Sequence, residues 1–517
     1  MNKEFQNRPG IKRFLNPAVL LGLILVIGIS LRLYDLGTES YWIDEMFTVT
    51  EGQQSIQQLI TSGRLDQPPA YYIPFHYWEQ IFGTSEVSTR SFSVLAGIGS
   101  IILVYLIGRE LFGRPVGLIS AFLISISEFQ IYYSQMARFY NYFELMALLS
   151  FLFFILAIRG KKRIHFALYI VATILMVYSH TFGIFILAAQ NLFIVLQWKK
   201  NRPLITIWLV CQVLILLAFI PYFFSLIFGR DGLQNSIAIQ GGMMTAPTIW
   251  TPLRSIYLFI FSPRRERSWE IMVANYAIAV AVLVVGTWIY ALRHGKSIWT
   301  SAWRKWIANL KEVPDLPSKL LLASCWLVCP ILLPFIFSLI ITPIYRDHFM
   351  IGAASALYLL LALGIYSIRK LVPIMISLIV LVMMIAPSLG YYYVTDVNEQ
   401  WKEADAFVQA NSSPNEVIVI APNQGIGIEQ KLFNWHYQGN LQICGLGDNL
   451  KDSKAISAAL MQCVSGHDRF WVIIRNNNNS SISYTSFFEN PNQTTIHLIN
   501  VHQFFGGISV YLFELQN

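Results

Sequence analysis

Eleven apolar runs, most of them near 20 residues long, punctuate the first 393 residues of this chain, and only a few folds can accommodate such runs. A hydrocarbon layer about 30 Å thick is crossed by about 20 helical residues, and a backbone inside it must satisfy its own hydrogen bonds, as a helix does. The runs lie near 17–34, 87–108, 115–134, 139–158, 164–180, 181–198, 204–227, 271–292, 319–342, 347–368 and 371–393. With 55% hydrophobic and 13% charged residues, the chain has too little polar surface to cover them in water. It is expected to be a polytopic α-helical membrane protein. The pair 164–180 and 181–198 is short, and no polar loop separates its halves at His180-Thr181, which suggests a deep or tilted hairpin.

Basic tracts at Lys3–Arg13, Arg109–Arg114, Arg159–Arg163, Lys199–Arg202, Arg293–Lys319 and Arg369-Lys370 alternate with these runs. Lys and Arg favour the cytoplasmic side, so the N-terminus is expected inside and, after an odd number of crossings, the C-terminal segment outside. The net charge of +8 then reflects topology. It does not argue for nucleic acid, because no soluble region carries a basic and aromatic face. Arg264, Arg265 and Arg267 fall on the outer side in this scheme; either the topology differs locally or they meet an anionic ligand. The first run follows a basic region without a small-residue cleavage site and reads as an uncleaved signal anchor.

Three outer regions interrupt the apolar pattern. The first outer loop, 35–86, holds an aromatic-rich segment from Pro68 to Phe82 that reads as a helix lying in the membrane interface. The second spans 228–270. The third, 396–517, has strand-length runs at Val417–Ile420, Phe470–Ile474 and Ile508–Phe513, alternating with helix-like stretches at 401–410 and 453–464. A small extracytoplasmic α/β domain fits, leaving 1–395 as the transmembrane domain. Gly425-Ile-Gly427 follows one strand, but Gln430 stands where a dinucleotide fingerprint needs a third glycine. Cys211, Cys325 and Cys329 fall in spans and read as packing residues. Cys444 and Cys463 share the outer domain, where an oxidising compartment would permit a disulfide.

The residues with chemistry gather at the outer ends of the runs. Asp44-Glu45 sits among apolar and aromatic neighbours in Tyr41-Trp-Ile-Asp-Glu-Met-Phe-Thr48, where partial desolvation would make a carboxylate a better base; a capping or solubilising acid pair is the plainer reading. Asp66 precedes Pro68-Pro69, which can open a helix, so it reads alone as a capping residue. Arg138 and Glu144 flank Tyr140 at the outer end of the fourth run, and charges at that depth must face a cavity or each other. His180 lies between two runs. Tyr345-Arg346 opens the tenth, where Arg346 could simply anchor a helix in headgroups. Taken together they supply a carboxylate base, cations for a phosphate and side chains able to ligate a metal, as transfer from a lipid phosphate requires.

Trp42-Ile-Asp44-Glu45, Asp66-Gln-Pro68-Pro69-Ala-Tyr71-Tyr72, Ser134-Gln-Met-Ala137-Arg138-Phe-Tyr140, Ser179-His180-Thr-Phe-Gly183 and Pro343-Ile-Tyr345-Arg346, in this order, resemble glycosyltransferase family 39 over roughly residues 15–395. That family has the GT-C fold and includes protein O-mannosyltransferases and aminoarabinose transferases. The resemblance implies an inverting enzyme that moves a sugar from a polyprenyl-phosphate donor to a lipid, glycan or protein acceptor on the outer face of the membrane; the compact loops without large cytoplasmic additions suggest a bacterium, in which that membrane is the inner, plasma membrane. It implies Asp44 as general base supported by Glu45, and Arg138, Tyr345 and Arg346 near the donor phosphate. Tyr140, Glu144 and His180 would complete the pocket. Asp66 matches an acid that helps hold a divalent metal in some relatives, while Gln67 departs from the His or Lys common beside the double proline. Transfer of another group or of a preassembled glycan, and a lipid-linked sugar flippase, are the rival readings.

Overall fold

The computed structural model describes residues 16–61, 68–228, 246–261, 313–396, 398–423, 427–447, 450, 452–476, 479–489 and 496–515. In chain order the helices up to residue 394 are α1 (Pro17–Leu33), α2 (Ile43–Gly52), α3 (Ile56–Thr61), α4 (Pro69–Phe82), α5 (Glu86–Phe112), α6 (Arg114–Ile126), α7 (Glu128–Ser134) and α8 (Tyr140–Gly160). They continue with α9 (Arg163–Ser179), α10 (Gly183–Leu196), α11 (Trp198–Asn201), α12 (Ile205–Phe228), α13 (Thr251–Phe261), α14 (Leu316–Ile340), α15 (Ile351–Tyr366) and α16 (Leu371–Val394). Two compact units result. The first takes the described residues of Met1–Tyr34, Gly52–Gly83 and Ser88–Tyr391; the second takes those of Asp35–Glu51, Thr84–Val87 and Tyr392–Asn517.

Among the described residues of the first unit, six helices are long and apolar enough to cross a membrane: α5, α8, the α11–α12 stretch Trp198–Phe224, α14, Asp347–Tyr366 and α16. A seventh is gained if α6 and α7, bent by 62° at their junction, form one span. The eleven expected runs thus divide. At 1.5 Å per residue, the 14 residues of α10 and the 17 residues of α1 and of α9 reach only about 21–26 Å, short of a full crossing. The run 271–292 lies outside the described residues, as do Arg264, Arg265 and Arg267.

The bend between α6 and α7 has a readable cause. Ser127 is extended (φ −63°, ψ 120°) and its hydroxyl accepts from the amide of Gln130, opening α7 while ending α6. That break strands the last carbonyls of α6. The Arg32 guanidinium, fully buried at the end of α1, donates to the carbonyls of Ile124 and Ser125 at 3.0 Å each and to the Ser134 hydroxyl at 3.0 Å. Further along, α5 and α6 cross closely enough that a Cβ on Gly108 would stand 2.8 Å from the Cα of Gly117. Only glycine permits that approach.

The second unit is built on a five-stranded mixed sheet with β1 (Val417–Asn423), β2 (Gln442–Gly447), β3 (Arg469–Arg475), β4 (Ile496–Phe504) and β5 (Ile508–Leu515) in the order β2-β1-β3-β5-β4. β1 runs parallel to β2 and β3, and β5 is antiparallel to β3 and β4. Helices α17 (Trp401–Asn411), α18 (Ile428–His436), α19 (Ser453–Cys463) and α20 (Asn479–Phe488) complete it. Val417 and Val419 face one core and Ile418 and Ile420 the other, so the continuous apolar run of β1 is that of a strand buried on both faces. Cys444 on β2 and Cys463 at the end of α19 form a disulfide, their Cα atoms 5.9 Å apart.

Candidate active site

The α7–α8 connection, the N-terminal end of α8 and the α9–α10 junction bring three of the sequence-predicted residues together in the first unit. Arg138 is buried, its guanidinium 4.9 Å from the Phe139 ring and 5.9 Å from that of Tyr140, a placement the ring quadrupole favours. His180 packs on Phe139 at 5.2 Å and on Phe349 at 4.7 Å. Its Nδ1 accepts from the Phe182 amide at 3.0 Å, which leaves the ring proton of a neutral imidazole on Nε2. Tyr140 in turn touches His348 at 4.9 Å and Tyr133 at 5.2 Å.

The aromatic segment after Pro68-Pro69 folds as α4, and its buried face joins this cluster. Pro68 takes the position before the first helical turn, and Asp66, expected as a capping residue, lies outside the described residues. Tyr71, fully buried, contacts Phe92, Phe139 and Tyr142 edge-on at 5.6, 6.1 and 5.9 Å. One helical turn at a time, Tyr71, Phe75 and Glu79 line the same face. Glu79 is buried and neither carboxyl oxygen has a hydrogen-bond partner among the described residues. Burial pushes its carboxyl up to about 8, so α4 carries a neutral acid at physiological pH. The sequence reading passed over Glu79; its place on the Tyr71–Phe75 face was the available signal.

Glu144 is not held by a salt bridge to Arg138: its Oε1 accepts from the Gln130 amide and the Ser355 hydroxyl, each at 2.9 Å. Beside it, the Asn141 amide donates to Ser134 at 2.8 Å, joining Arg32. Arg32, Gln130 and Asn141 were also missed from sequence. A lone arginine within an apolar run was the clue, because such a charge is costly at membrane depth unless it is internally bonded.

Tyr345 and Arg346 lie in the extended segment before the short 3-10 turn Asp347–Met350. Ser255 on α13 has one proton and gives it to Asp347 Oδ1 at 2.6 Å, so the Tyr345 hydroxyl, 2.7 Å away, donates to Ser255. Arg254 adds a longer ion pair to Asp347 at 3.8 Å. One helix further on, the Tyr358 and Ser127 hydroxyls converge on the Phe259 carbonyl at 2.6 and 3.0 Å. α13 is thereby fixed to the 345–347 segment and to α15. The carbonyl of half-buried Arg346 accepts from the Phe349 amide at 3.0 Å, while its guanidinium has no hydrogen-bond or ion-pair partner among the described residues.

Asp44 and Glu45 belong to the second unit, in the first turn of α2, where acids are favoured by the helix dipole. Glu45 is fully buried and Asp44 half-buried. Asp66 lies outside the described residues, and with it the metal ligand expected there. Among the described residues no group of three or more His, Cys, Asp and Glu side chains comes together.

Residues 66–224 match the sequence model of the family described as dolichyl-phosphate-mannose-protein mannosyltransferase. An uncharacterized protein of Aquifex aeolicus (strain VF5) is 27% identical over 198 residues, covering 36% of this chain and 39% of that protein, so the match spans about two fifths of the relative. Among solved structures, ArnT from Cupriavidus metallidurans bound to undecaprenyl phosphate superposes with a TM-score of 0.57 at 10% identity, covering 96% of this chain and 97% of that one. The apo oligosaccharyltransferase of Archaeoglobus fulgidus gives 0.52 at 12% identity, covering 91% and 71%. At such identities the likeness establishes the fold. The resemblance read from the motifs is thereby upheld as a likeness: residues 66–224 match the mannosyltransferase family model, and the chain shares its fold with these GT-C glycosyltransferases.

Proposed function

We propose that this protein is an inverting membrane glycosyltransferase that moves a sugar from a polyprenyl-phosphate donor to a lipid, glycan or protein acceptor on the outer face of the plasma membrane, with the N-terminus inside and the α/β unit outside. The observation that carries this reading is Arg346, a half-buried guanidinium with no partner among the described residues, presented by a segment that Tyr345, Ser255 and Asp347 hold in place. A phosphate is the group such a fork suits. The solved structure of the Cupriavidus ArnT contains undecaprenyl phosphate, which supports the same class of donor.

In this reading the leaving phosphate gathers negative charge as the glycosidic bond breaks, and Arg138 and Arg346 stabilise it in a site that excludes water. Asp44 takes the acceptor proton as the new bond forms, with Glu45 holding the first turn of α2. Tyr140 and His180 pack the wall beside Arg138. Tyr345, whose hydroxyl is engaged by Ser255, acts by orienting Arg346, and Glu144 acts by joining α7, α8 and α15.

The test is turnover by the protein in lipid nanodiscs with labelled undecaprenyl-phosphate monosaccharides, alongside a preassembled glycan-lipid donor and a liposome scrambling assay. Transfer from a monosaccharide donor with inversion at the anomeric carbon is expected. Use of the glycan donor alone, or scrambling without transfer, would overturn it in favour of the corresponding rival.

A further inference from the structure

The helix that carries the acidic pair is built into the C-terminal unit. A ten-residue helix is marginal in isolation, and α2 gains its support from that unit's core. Tyr41, Met46 and Val49, each no more than 1% exposed, are packed in one cluster with Ile418 and Ile420 of β1 and Trp471 of β3. Tyr41 also donates to the Thr84 carbonyl at 2.8 Å and meets Trp435 edge-on at 5.7 Å.

The stretch leading into α2 is bonded as closely. The Ser40 hydroxyl donates to the Glu399 carbonyl at 2.6 Å and accepts from the Trp401 amide at 3.1 Å, capping α17 from 361 positions away in sequence. Asn398 gives its backbone amide to the Glu39 carboxylate at 2.9 Å and its side-chain amide to the Ser40 carbonyl at 3.2 Å. Lys402 donates to the carbonyls of Gly37 and Thr38 at 3.0 and 3.1 Å. Glu399 is itself held by Arg475 of β3 at 2.6 Å and by the Trp401 indole at 2.8 Å. A continuous path of contacts thus runs from the sheet, through Arg475, Glu399 and Trp401, to Ser40, four residues before Asp44.

We propose that the C-terminal α/β unit is the positioning element for α2, with Ser40 the positioning residue that joins the sheet to the helix bearing Asp44. This rests on the reading of Asp44 as the general base. A base works only within hydrogen-bond reach of the proton it removes, and a side chain on a rigid, packed element holds that geometry better than one on a loop. The unit then contributes to the rate by fixing α2, whatever acceptor is used.

Hydrogen exchange on the full-length protein in nanodiscs tests this, with Ser40→Ala and the hydroxyl-retaining Ser40→Thr beside the wild type. Ser40→Ala should speed exchange of the 43–51 amides about tenfold and that of β1 and β3 by the same factor, because they open as one cooperative unit. Ser40→Thr should restore both. With labelled undecaprenyl-phosphate monosaccharides, Ser40→Ala should lower kcat severalfold at unchanged donor KM, and Ser40→Thr should recover it. Unchanged α2 exchange in Ser40→Ala, or faster α2 exchange with β1 and β3 unaltered, would overturn the proposal, as would unchanged kcat once α2 is loosened. Normal turnover by Asp44→Asn refutes the base reading separately, since exchange does not depend on chemistry.

Discussion

Replacing Asp405 by Asn should stabilise the protein at neutral pH and leave it unchanged near pH 4. Asp405 lies on α17, 4% exposed, and its Oδ1 has no hydrogen-bond partner among the described residues. Burial pushes its carboxyl up to about 6, the charge of His436 offsetting only part of the effect. The ordinary value for an unfolded Asp is about 3.9. Between roughly pH 4 and pH 6 the unfolded chain releases this proton while the folded one keeps it, so stability falls as pH rises through that window and levels off above it. Two pKa units correspond to about 3 kcal/mol as a ceiling at about 1.4 kcal/mol per unit, and relaxation of the surroundings around the charged carboxylate keeps the expected gain below it. Asn has nearly the same shape and does not titrate. Thermal melts in detergent, followed by the fluorescence of Trp401 and Trp471 in the same core, should show the variant melting a few degrees higher at pH 7.5 and together with wild type at pH 4. A lower melting temperature at pH 7.5 would refute the reasoning, since it would mean the carboxylate is favourably paired. An equal gain at both pH values would refute it as well.

Other expectations follow from the same side chains. Asp44→Asn should abolish transfer while leaving the melting temperature within a degree or two of wild type; near-normal turnover would remove Asp44 from the mechanism. Arg346→Ala should raise the donor KM at least tenfold and leave the acceptor KM nearly unchanged, and equal effects on both would count against a phosphate contact. Arg32→Met leaves the carbonyls of Ile124 and Ser125 without their buried donor, at several kcal/mol in total, and should lower the melting temperature sharply; a wild-type melt would show that α1 does not brace the α6–α7 break. Glu79→Gln should be worth little near pH 4.5 and increasingly stabilising up to about pH 8, because the folded acid keeps its proton across that range while the unfolded one does not. A gain independent of pH would show that Glu79 is not a buried neutral acid.

Much of the helical framework was legible because apolar runs of span length admit few alternatives. The runs near 87–108, 139–158 and 319–342 appear as α5, α8 and α14 within a few residues. What escaped was governed by contacts distant in sequence. The α6–α7 bend depends on Arg32, some 93 positions from the carbonyl of Ser125. β4 was missed because it is an edge strand, exposed along most of its length, with Leu498, Ile499 and Val501 about 40% accessible; it therefore lacks the alternation that marks a half-buried strand. β2, carrying Gln442, Cys444 and two glycines, has too few β-branched residues to announce itself. Of the candidate site, Arg138, Tyr140 and His180 were singled out from charged and polar residues at the ends of apolar runs, and the structure brings them close together. The attachment of α2 was not: Tyr41, Met46 and Val49 read locally as an apolar loop, and nothing in 35–51 reveals that their partners lie beyond residue 397.

Native mass spectrometry of the protein purified from its own membrane is the most direct test of donor identity, because it reports the bound lipid without assuming a sugar or an acceptor. A copurifying polyprenyl phosphate or polyprenyl-phosphate sugar is expected, with its occupancy reduced at least tenfold in Arg346→Ala and retained in Asp44→Asn. A preparation holding only phospholipid, or a polyprenyl lipid held equally by all three proteins, would contradict it.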